Sequence, residues 1–466
     1  AVEIAGSPTV RTHAEFSSVG PTTISLRLKP DVAAPGVDVL SSVTGGGFAA
    51  FSGTSMAAPH VAGAAALLRQ RHPAWTVEQL KSALVQSGLD AQNERSGIVG
   101  PQFQGGGVVS LQRADKPLLF ARPVSLSFGL LRPGASARLA VDLGTAGAGA
   151  GTWQVRETRP LASARGGRLG LPASVEVPGQ LVFDLVVPTS ARLGDLTGYI
   201  ELRRGTDVRR VPFWGRIAAQ ALARHTAGTL TRPGLHRSTT AGRPSHVLRY
   251  RYPQTPSGIG VSTTLRGPER VFRILVTKQI ANFGVVITQR GRGVQVEPRI
   301  VAGLDENRLT GYAGLPVNHN PYMDEFREPL LAAAALSPAR GDYAVVFDSA
   351  SRAGAGPFTF RYWVNDVTPP RLRLRTAAVA RGQPVRVTAT DAGAGVYPDS
   401  IIAAVNGSRV SPTFRAGVIS IPTSNLSAGT YRLRVRVSDF QESKNTENVA
   451  RILPNTRTAT FAFRVR

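Results

Sequence analysis

Apolar residues first recur at helical spacing between Val61 and Leu68. Val61, Ala65 and Leu68 fall on one line, with Ala64 and Leu67 beside them, and Pro73 ends the run. The pattern predicts a buried, alanine-rich helix that starts at Ser55 and reaches about Gln70. Pro59 is expected early enough to sit in its first turn, where a missing N–H is harmless. A second helix follows, with Val77, Leu80, Leu84 and Val85 as its stripe, fading at Gly88. Thr76 stands at its N-cap with Gln79 three residues on, a capping box. Upstream, Thr22–Leu28 alternates and reads as a strand or an insertion edge. Val37–Ser42 reads as a short strand entering a flexible turn at Gly45, Gly46 and Gly47.

After residue 116 the helical spacing vanishes and short alternating runs take over. Val124–Phe128, Ala137–Val141, Trp153–Val155, Leu181–Val187, Gly198–Leu202 and Arg210–Trp214 are strand candidates, punctuated by Gly129 and Pro133-Gly134. Further candidates are Val271–Val276, Gly284–Ile287, Tyr343–Phe347 and Phe358–Val364, where one sandwich with a partly irregular insertion is the simplest account. Asp366-Val367-Thr368-Pro369-Pro370 then makes a stiff entry to a last region. In it, Gly429–Asp439 is the clearest alternation in the chain. Arg432, Arg434 and Arg436 share one face, expected in solvent, and Tyr431, Leu433, Val435 and Val437 share the other, expected to be buried. The regions run 1–116, 117–216, 217–365 and 366–466.

Composition narrows the classes. With 466 residues, three or four domains are expected. Zero cysteines exclude a disulfide scaffold and a Cys-ligated metal site. No run of 18 apolar residues marks a transmembrane helix. The net charge is +25, and only five of the 55 basic residues are lysine. Such charge favours adhesion to anionic surfaces. The arginines, however, are scattered at strand-like spacing without a basic–aromatic array, so no nucleic-acid partner is expected. Asn318-His319-Asn320 with Asp324-Glu325 is the one cluster that suggests an ion; calcium is possible there, yet solvated loop residues are the simpler reading.

The chemistry gathers at Gly53-Thr54-Ser55. Small neighbours leave the Ser55 hydroxyl uncovered, and a helix N-terminus offers free N–H groups and partial positive charge where an oxyanion develops. Gly53-Thr54-Ser55-Met56-Ala57-Ala58-Pro59-His60-Val61-Ala62-Gly63 closely resembles the nucleophile segment of the subtilisin-like serine peptidases. Phe16-Ser17-Ser18-Val19-Gly20-Pro21 and Lys29–Val37 resemble the same family, in the expected order, and Gly105–Ala114 resembles the Gly-rich segment that closes its catalytic domain. The resemblance implies that Ser55 is the nucleophile of an acyl-enzyme mechanism, with Gly53 and Thr54 in its motif. It also implies that the catalytic Asp, the His and the oxyanion Asn come earlier in the family's order. Only 54 residues precede Ser55, too few to hold them. His60 lies five residues past Ser55, about 140° round the helix, and is read as a packed or hydrogen-bonded helix residue. His13 lies outside the family's His motif, and Asp31 and Asp38 read as turn residues.

The chain is therefore read as an incomplete α/β subtilisin-like domain followed by all-β sandwich domains. These would be the C-terminal part of a secreted or cell-surface bacterial serine endopeptidase. Gly194–Trp214 resembles the fibronectin-type domain that often follows such a catalytic domain, and residues 366–466 resemble immunoglobulin-like modules of bacterial extracellular proteins. Protein or peptide substrates and the N-terminal half of the catalytic domain are the expected partners, and the chain alone is expected to be inactive. The alternative is a structural or adhesion protein carrying a vestigial protease segment.

Overall fold

Helical spacing becomes helix and strict alternation becomes sheet in a computed structural model. It describes every residue except 1, 4–10, 23–25, 96, 161–165, 247–248, 251–262, 265–266, 305–308, 312–330 and 442–454. The cluster at Asn318–Glu325 lies outside the described residues. Two compact units emerge, one chiefly Leu26–Ala219 and the other chiefly Gln220–Pro253 with Gly260–Arg466. Both are mostly β.

The α-helices among the described residues belong to the first unit. Helix α1 spans Thr54–Arg71 and α2 spans Val77–Gln86. Thr76 caps α2 as its sequence requires: its hydroxyl accepts the Gln79 N–H at 3.2 Å, and Gln79 Oε1 accepts the Thr76 N–H at 2.8 Å. Thr76→Ala should cost about 1 kcal/mol and lower the first unit's melting temperature by roughly 2–4 °C. Calorimetry that finds no shift would mean the cap is redundant.

The apolar stripe of α2 is realised at Leu84 and Val85, which are buried, and at Leu80, which is half-buried, but not at Val77. Val77 is 78% exposed, while Ser82 and Gln86 are buried. The reason is polar. Ser82 Oγ accepts the Ala121 N–H at 2.8 Å, and Gln86 Nε2 donates to the Val124 carbonyl at 3.0 Å, so α2 turns these side chains toward the strands that follow. Nor is Leu26–Leu28 a strand. Residues 23–25 of that stretch lie outside the described residues; Leu26 has φ 53°, Arg27 bonds back to Thr22 through both its N–H and its carbonyl, and Leu26 and Leu28 are buried.

Beyond residue 118 the first unit holds two sheets. A five-stranded sheet runs Ser174–Val177, Gly151–Thr158, Gly194–Arg204, Asp207–Ile217, Leu126–Leu131, its last pair parallel. A four-stranded sheet runs Leu119–Arg122, Ser136–Thr145, Gly179–Val186, Arg168–Gly170. Their facing side chains, among them Val141, Phe183, Trp153, Ile200 and Phe213, form one core. Trp153 and Phe213 are core residues, fully buried.

The second unit repeats this layering twice. One five-stranded sheet carries Glu269–Val276, Gly341–Ser349 and Val296–Ala302 at its centre, and a four-stranded sheet carries Asn282–Arg290 and Pro357–Val364. Further on, Val385–Thr390 and Val418–Ile421 face Gly429–Ser438 and Thr456–Val465. The alternation at Gly429–Ser438 is realised: Leu433, Val435 and Val437 are buried, Tyr431 half-buried, and Arg432 and Arg434 exposed.

Candidate active site

Two strands, Val39–Ser42 and Phe48–Phe51, form a hairpin that leads into the Ser55 turn. Gly45, Gly46 and Gly47 all have φ near +90°, a region L side chains rarely adopt, so the hairpin can close only on glycine. The return strand is then anchored twice. The Gly53 N–H donates to the Gly36 carbonyl at 2.7 Å, and Ser52 Oγ both accepts the Asp38 N–H at 2.9 Å and donates to Asp38 Oδ1 at 3.1 Å. Asp38 is thereby a turn residue, and Asp31 is held by Lys29 and Lys81. Both match their sequence reading.

Gly53 caps α1 from an extended backbone, and its carbonyl accepts the Met56 N–H at 3.0 Å. Ser55 is the second residue of the helix and is exposed. Two expectations about α1 need correction. The helix starts at Thr54, so Pro59 lies in its second turn, and with no N–H it cannot bond the Ser55 carbonyl. The helix is also not buried: Ala57, Ala64 and Leu68 are covered, but Ala58, Ala62, Ala66 and Leu67 are exposed. Only one narrow stripe meets neighbours among the described residues.

Among the described residues of the first unit, no imidazole is hydrogen-bonded to Ser55. His60 Nδ1 bonds the Met56 carbonyl at 2.8 Å, the helix role its spacing suggests. His72 has the look of an oriented base: Nε2 lies 2.8 Å from Asp115 Oδ1, and its ring stacks on Trp75 at 3.7 Å. Arg71 adds two bonds to the same carboxylate, and these, with the His72 bond, hold Asp115 below the usual carboxylate range. Yet His72 caps the far end of α1, about 25 Å of helix from Ser55 at 1.5 Å per residue. His13 packs edge-on to Phe103, and burial lowers it to about 4.

The Gly-rich segment after α2 is threaded between two other segments. Gly106 N donates to the Asp31 carbonyl, Ala33 N to that of Gly107, and Leu89 and Val108 exchange both backbone bonds. Gln102, Gly105, Gly106, Gly88 and Asp90 are then gripped from the strands at 194–217. Arg210 Nε donates to the Gly106 carbonyl at 2.9 Å and a terminal nitrogen to that of Gly88 at 3.2 Å, while the other pairs with Asp90. Tyr199 donates to the Gly105 carbonyl at 3.0 Å beneath the Arg210 guanidinium, and Thr197 Oγ1 donates to Gln102 Oε1 at 3.0 Å. Burial raises the Tyr199 hydroxyl well above its ordinary value, keeping it a donor. Sequence reasoning missed Arg210, because its neighbours mark only a strand and nothing local tells a buried arginine from an exposed one.

With this geometry in view, the sequence of residues 4–106 matches the profile of the Subtilase family. This segment belongs to the subtilases. It is 35% identical over 122 residues to the minor extracellular protease Vpr of Bacillus subtilis (strain 168) and 41% identical over 120 residues to the subtilisin-like protease SBT3.9 of Arabidopsis thaliana. Those alignments cover 25% and 22% of this chain, and only 15% and 16% of the two relatives. Among solved structures, an ICAM-5 D1–D4 ectodomain fragment overlaps 75% of this chain and 76% of its own, at 12% identity and a TM-score of 0.17, too low for a shared fold. No helix among the described residues is long and apolar enough to cross a membrane.

In the second unit, outside the subtilase segment, Asp366, Asp391 and Asp439 each place a carboxylate oxygen within 4.8 Å of the others, a group able to hold a cation. The carboxylates are also engaged within the protein. Asp366 Oδ2 accepts the Ala394 N–H at 2.7 Å, Asp391 Oδ1 the Gly395 N–H at 2.7 Å, and Asp439 Oδ2 the Asn455 amide at 2.7 Å. Burial raises the Asp391 carboxyl. The sequence placed its ion candidate elsewhere, since these three acids come together only through the fold.

Proposed function

We propose that this chain carries the nucleophile of a secreted subtilisin-like serine endopeptidase, and that Ser55 is that nucleophile. The observation that carries the reading is the exposed serine at the second position of an 18-residue helix, inside a Gly53–Gly63 motif that matches the family. In the proposed reaction Ser55 Oγ attacks a peptide carbonyl while its proton passes to a histidine of the remaining catalytic domain. The C–N bond then breaks as that proton reaches the leaving amine, and water later releases the acyl group from Ser55. The Ser55 N–H and an asparagine from the same remaining part hold the oxyanion.

That remaining part is the expected partner of the bare faces of α1. A groove of about 780 Å³ between α1 and α2 is lined by Val32, Val61, Ala65, Val77, Leu80 and Leu84. Its walls are almost wholly apolar, the character of a surface that packs against more protein. The β regions would serve as fibronectin-type and immunoglobulin-like accessory domains.

A serine-directed fluorophosphonate tests the assignment. The 466-residue chain alone should not label, because without a base Ser55 is a poor nucleophile at neutral pH. A longer form that includes the upstream catalytic residues should label and cleave casein, and its Ser55→Ala variant should lose both, by at least about a thousandfold in kcat. Full activity in that variant would end the assignment.

A further inference from the structure

Residues 366–466 hold 15 basic and six acidic residues, and three of the six acids meet in the Asp366–Asp391–Asp439 cluster. The remaining charge lies on strand faces. One sheet of this sandwich runs Ala378–Val379, Thr456–Val465, Gly429–Ser438, Ile402–Val405, Ser408–Val410. Leu433, Val435 and Phe463 point into the core, so the alternate positions point outward. Arg432, Arg434 and Arg436 therefore occupy consecutive outward positions on the central strand, roughly 7 Å apart. Arg464 stands one strand away, opposite Thr430. On the other side Ala404 is opposite Arg434, and Arg409 is opposite Ala404. Five arginines from three strands thus share one face. Arg409, Arg432, Arg434 and Arg464 are exposed, and Arg436 is half-buried.

Small or hydroxylated residues lie between them. Arg436 is opposite Thr458, Arg434 opposite Thr460 and Arg432 opposite Ala462, and these three neighbours are exposed. No outward position of these strands is acidic. Asp399 sits on the short helix Pro398–Ser400, beyond the Arg436 end of the strand, where Ser400 Oγ accepts the Ser438 N–H at 2.9 Å. The aromatic rings of the sheet lie on its other side: Tyr431 stacks on Phe463 at 5.6 Å, and Phe461 packs against the core.

We propose that this face binds an acidic polysaccharide, its guanidinium groups taking the polymer's carboxylates or sulfates and its threonines the sugar hydroxyls. A row of charges at regular pitch suits a linear polymer with repeated anionic groups. A planar guanidinium fork suits their paired oxygens better than a point charge does. Exposed hydroxyls beside the charges can both donate and accept, as a hydroxylated partner requires. A single-stranded nucleic acid stacks its bases on aromatic rings, and here the rings face the core. A bilayer takes up exposed apolar side chains, and the outward positions offer little beyond alanine, threonine and the half-buried Ile402.

The other sheet of the same sandwich supplies a built-in control. It spreads its outward arginines across its width, with Arg371 and Arg373 on one edge strand, Arg415 on the opposite edge and Arg386 between. The proposal is independent of the role of Ser55.

The test is binding of the whole chain to immobilised heparin and polygalacturonate at about 0.15 M salt, where long-range attraction is screened. The variant Arg432→Thr with Arg434→Thr and Arg464→Thr should bind at least about tenfold more weakly. The variant Arg371→Thr with Arg373→Thr and Arg386→Thr removes the same charge from the other sheet and should weaken binding by less than about threefold. Equal losses in the two variants, or no binding of either glycan by the native chain, overturn the proposal. Tighter binding to a thymidine oligonucleotide or to phosphatidylserine vesicles than to both glycans overturns it too. Should the first variant not fold, the native chain decides. Bound glycan should shield Arg432, Arg434 and Arg464 from a guanidine-directed dicarbonyl reagent, read by peptide mass spectrometry, while Arg371 and Arg373 stay reactive. Shielding that is uniform or missing overturns the proposal.

Discussion

Arg210→Ala should lower the melting temperature of the first unit by roughly 6–12 °C, whereas Arg434→Ala in the second unit should barely move that unit's transition. Arg210 is 8% exposed, and its three nitrogens serve the Gly106 and Gly88 carbonyls and Asp90. Truncation leaves two carbonyls and a carboxylate without their donor and removes the cation from the Tyr199 ring 4.4 Å away. Loss of one partner from a buried pair costs about 3–5 kcal/mol. Asp90 is 40% exposed and regains water, so about 3 kcal/mol is expected. Arg210→Lys should rescue little, because one ammonium cannot reach three acceptors held in a planar fork. Scanning calorimetry checks this, and a shift below about 2 °C would mean that the grip contributes nothing.

Gly106→Ala should be at least as damaging. A Cβ there would stand 2.0 Å from the Val85 carbonyl oxygen and 2.7 Å from its carbon. Both atoms are backbone near the end of α2, so no rotamer change relieves the clash. The helix must move, and with it the Ser82 and Gln86 bonds to the strands. Overpacking of this kind costs about 3 kcal/mol or more, and soluble yield should collapse or the melting temperature fall by at least about 6 °C. Gly63→Ala is the contrast. Its Cβ would meet nothing within 4 Å on an exposed stretch of α1, so the substitution should stabilise the chain by about 1 kcal/mol through helix propensity. A Gly106→Ala protein as stable as the native one would show that the segment is not tightly threaded.

Local rules made much of this legible. The Thr76–Gln79 box, the strand at Gly429–Ser438 and the Gly45–Gly47 turn each depend on neighbours within a few residues, and each is found where the pattern puts it. The Ser55 motif was legible as a family signature, and its matching segment as a subtilase. What escaped depends on residues far apart. Val77 is exposed because Ser82 and Gln86, reaching Ala121 and Val124, set the rotation of α2. The exposure of α1 follows from which surfaces have neighbours, which a helical pattern cannot state. Arg210 acts across more than a hundred residues, and Asp366, Asp391 and Asp439 meet only after three segments have folded.

The grip of Arg210, Tyr199 and Thr197 on residues 88–106 bears on how this gene can be cut and rejoined. Element type changes near residue 116, which invites a cloning junction there. Yet residues on both sides share one compact unit and satisfy one another's buried carbonyls. A subtilase segment grafted onto a foreign tail would carry those carbonyls with nothing to answer them. The exchangeable cassette is the helices together with the strands up to Ile217, inherited as a single piece.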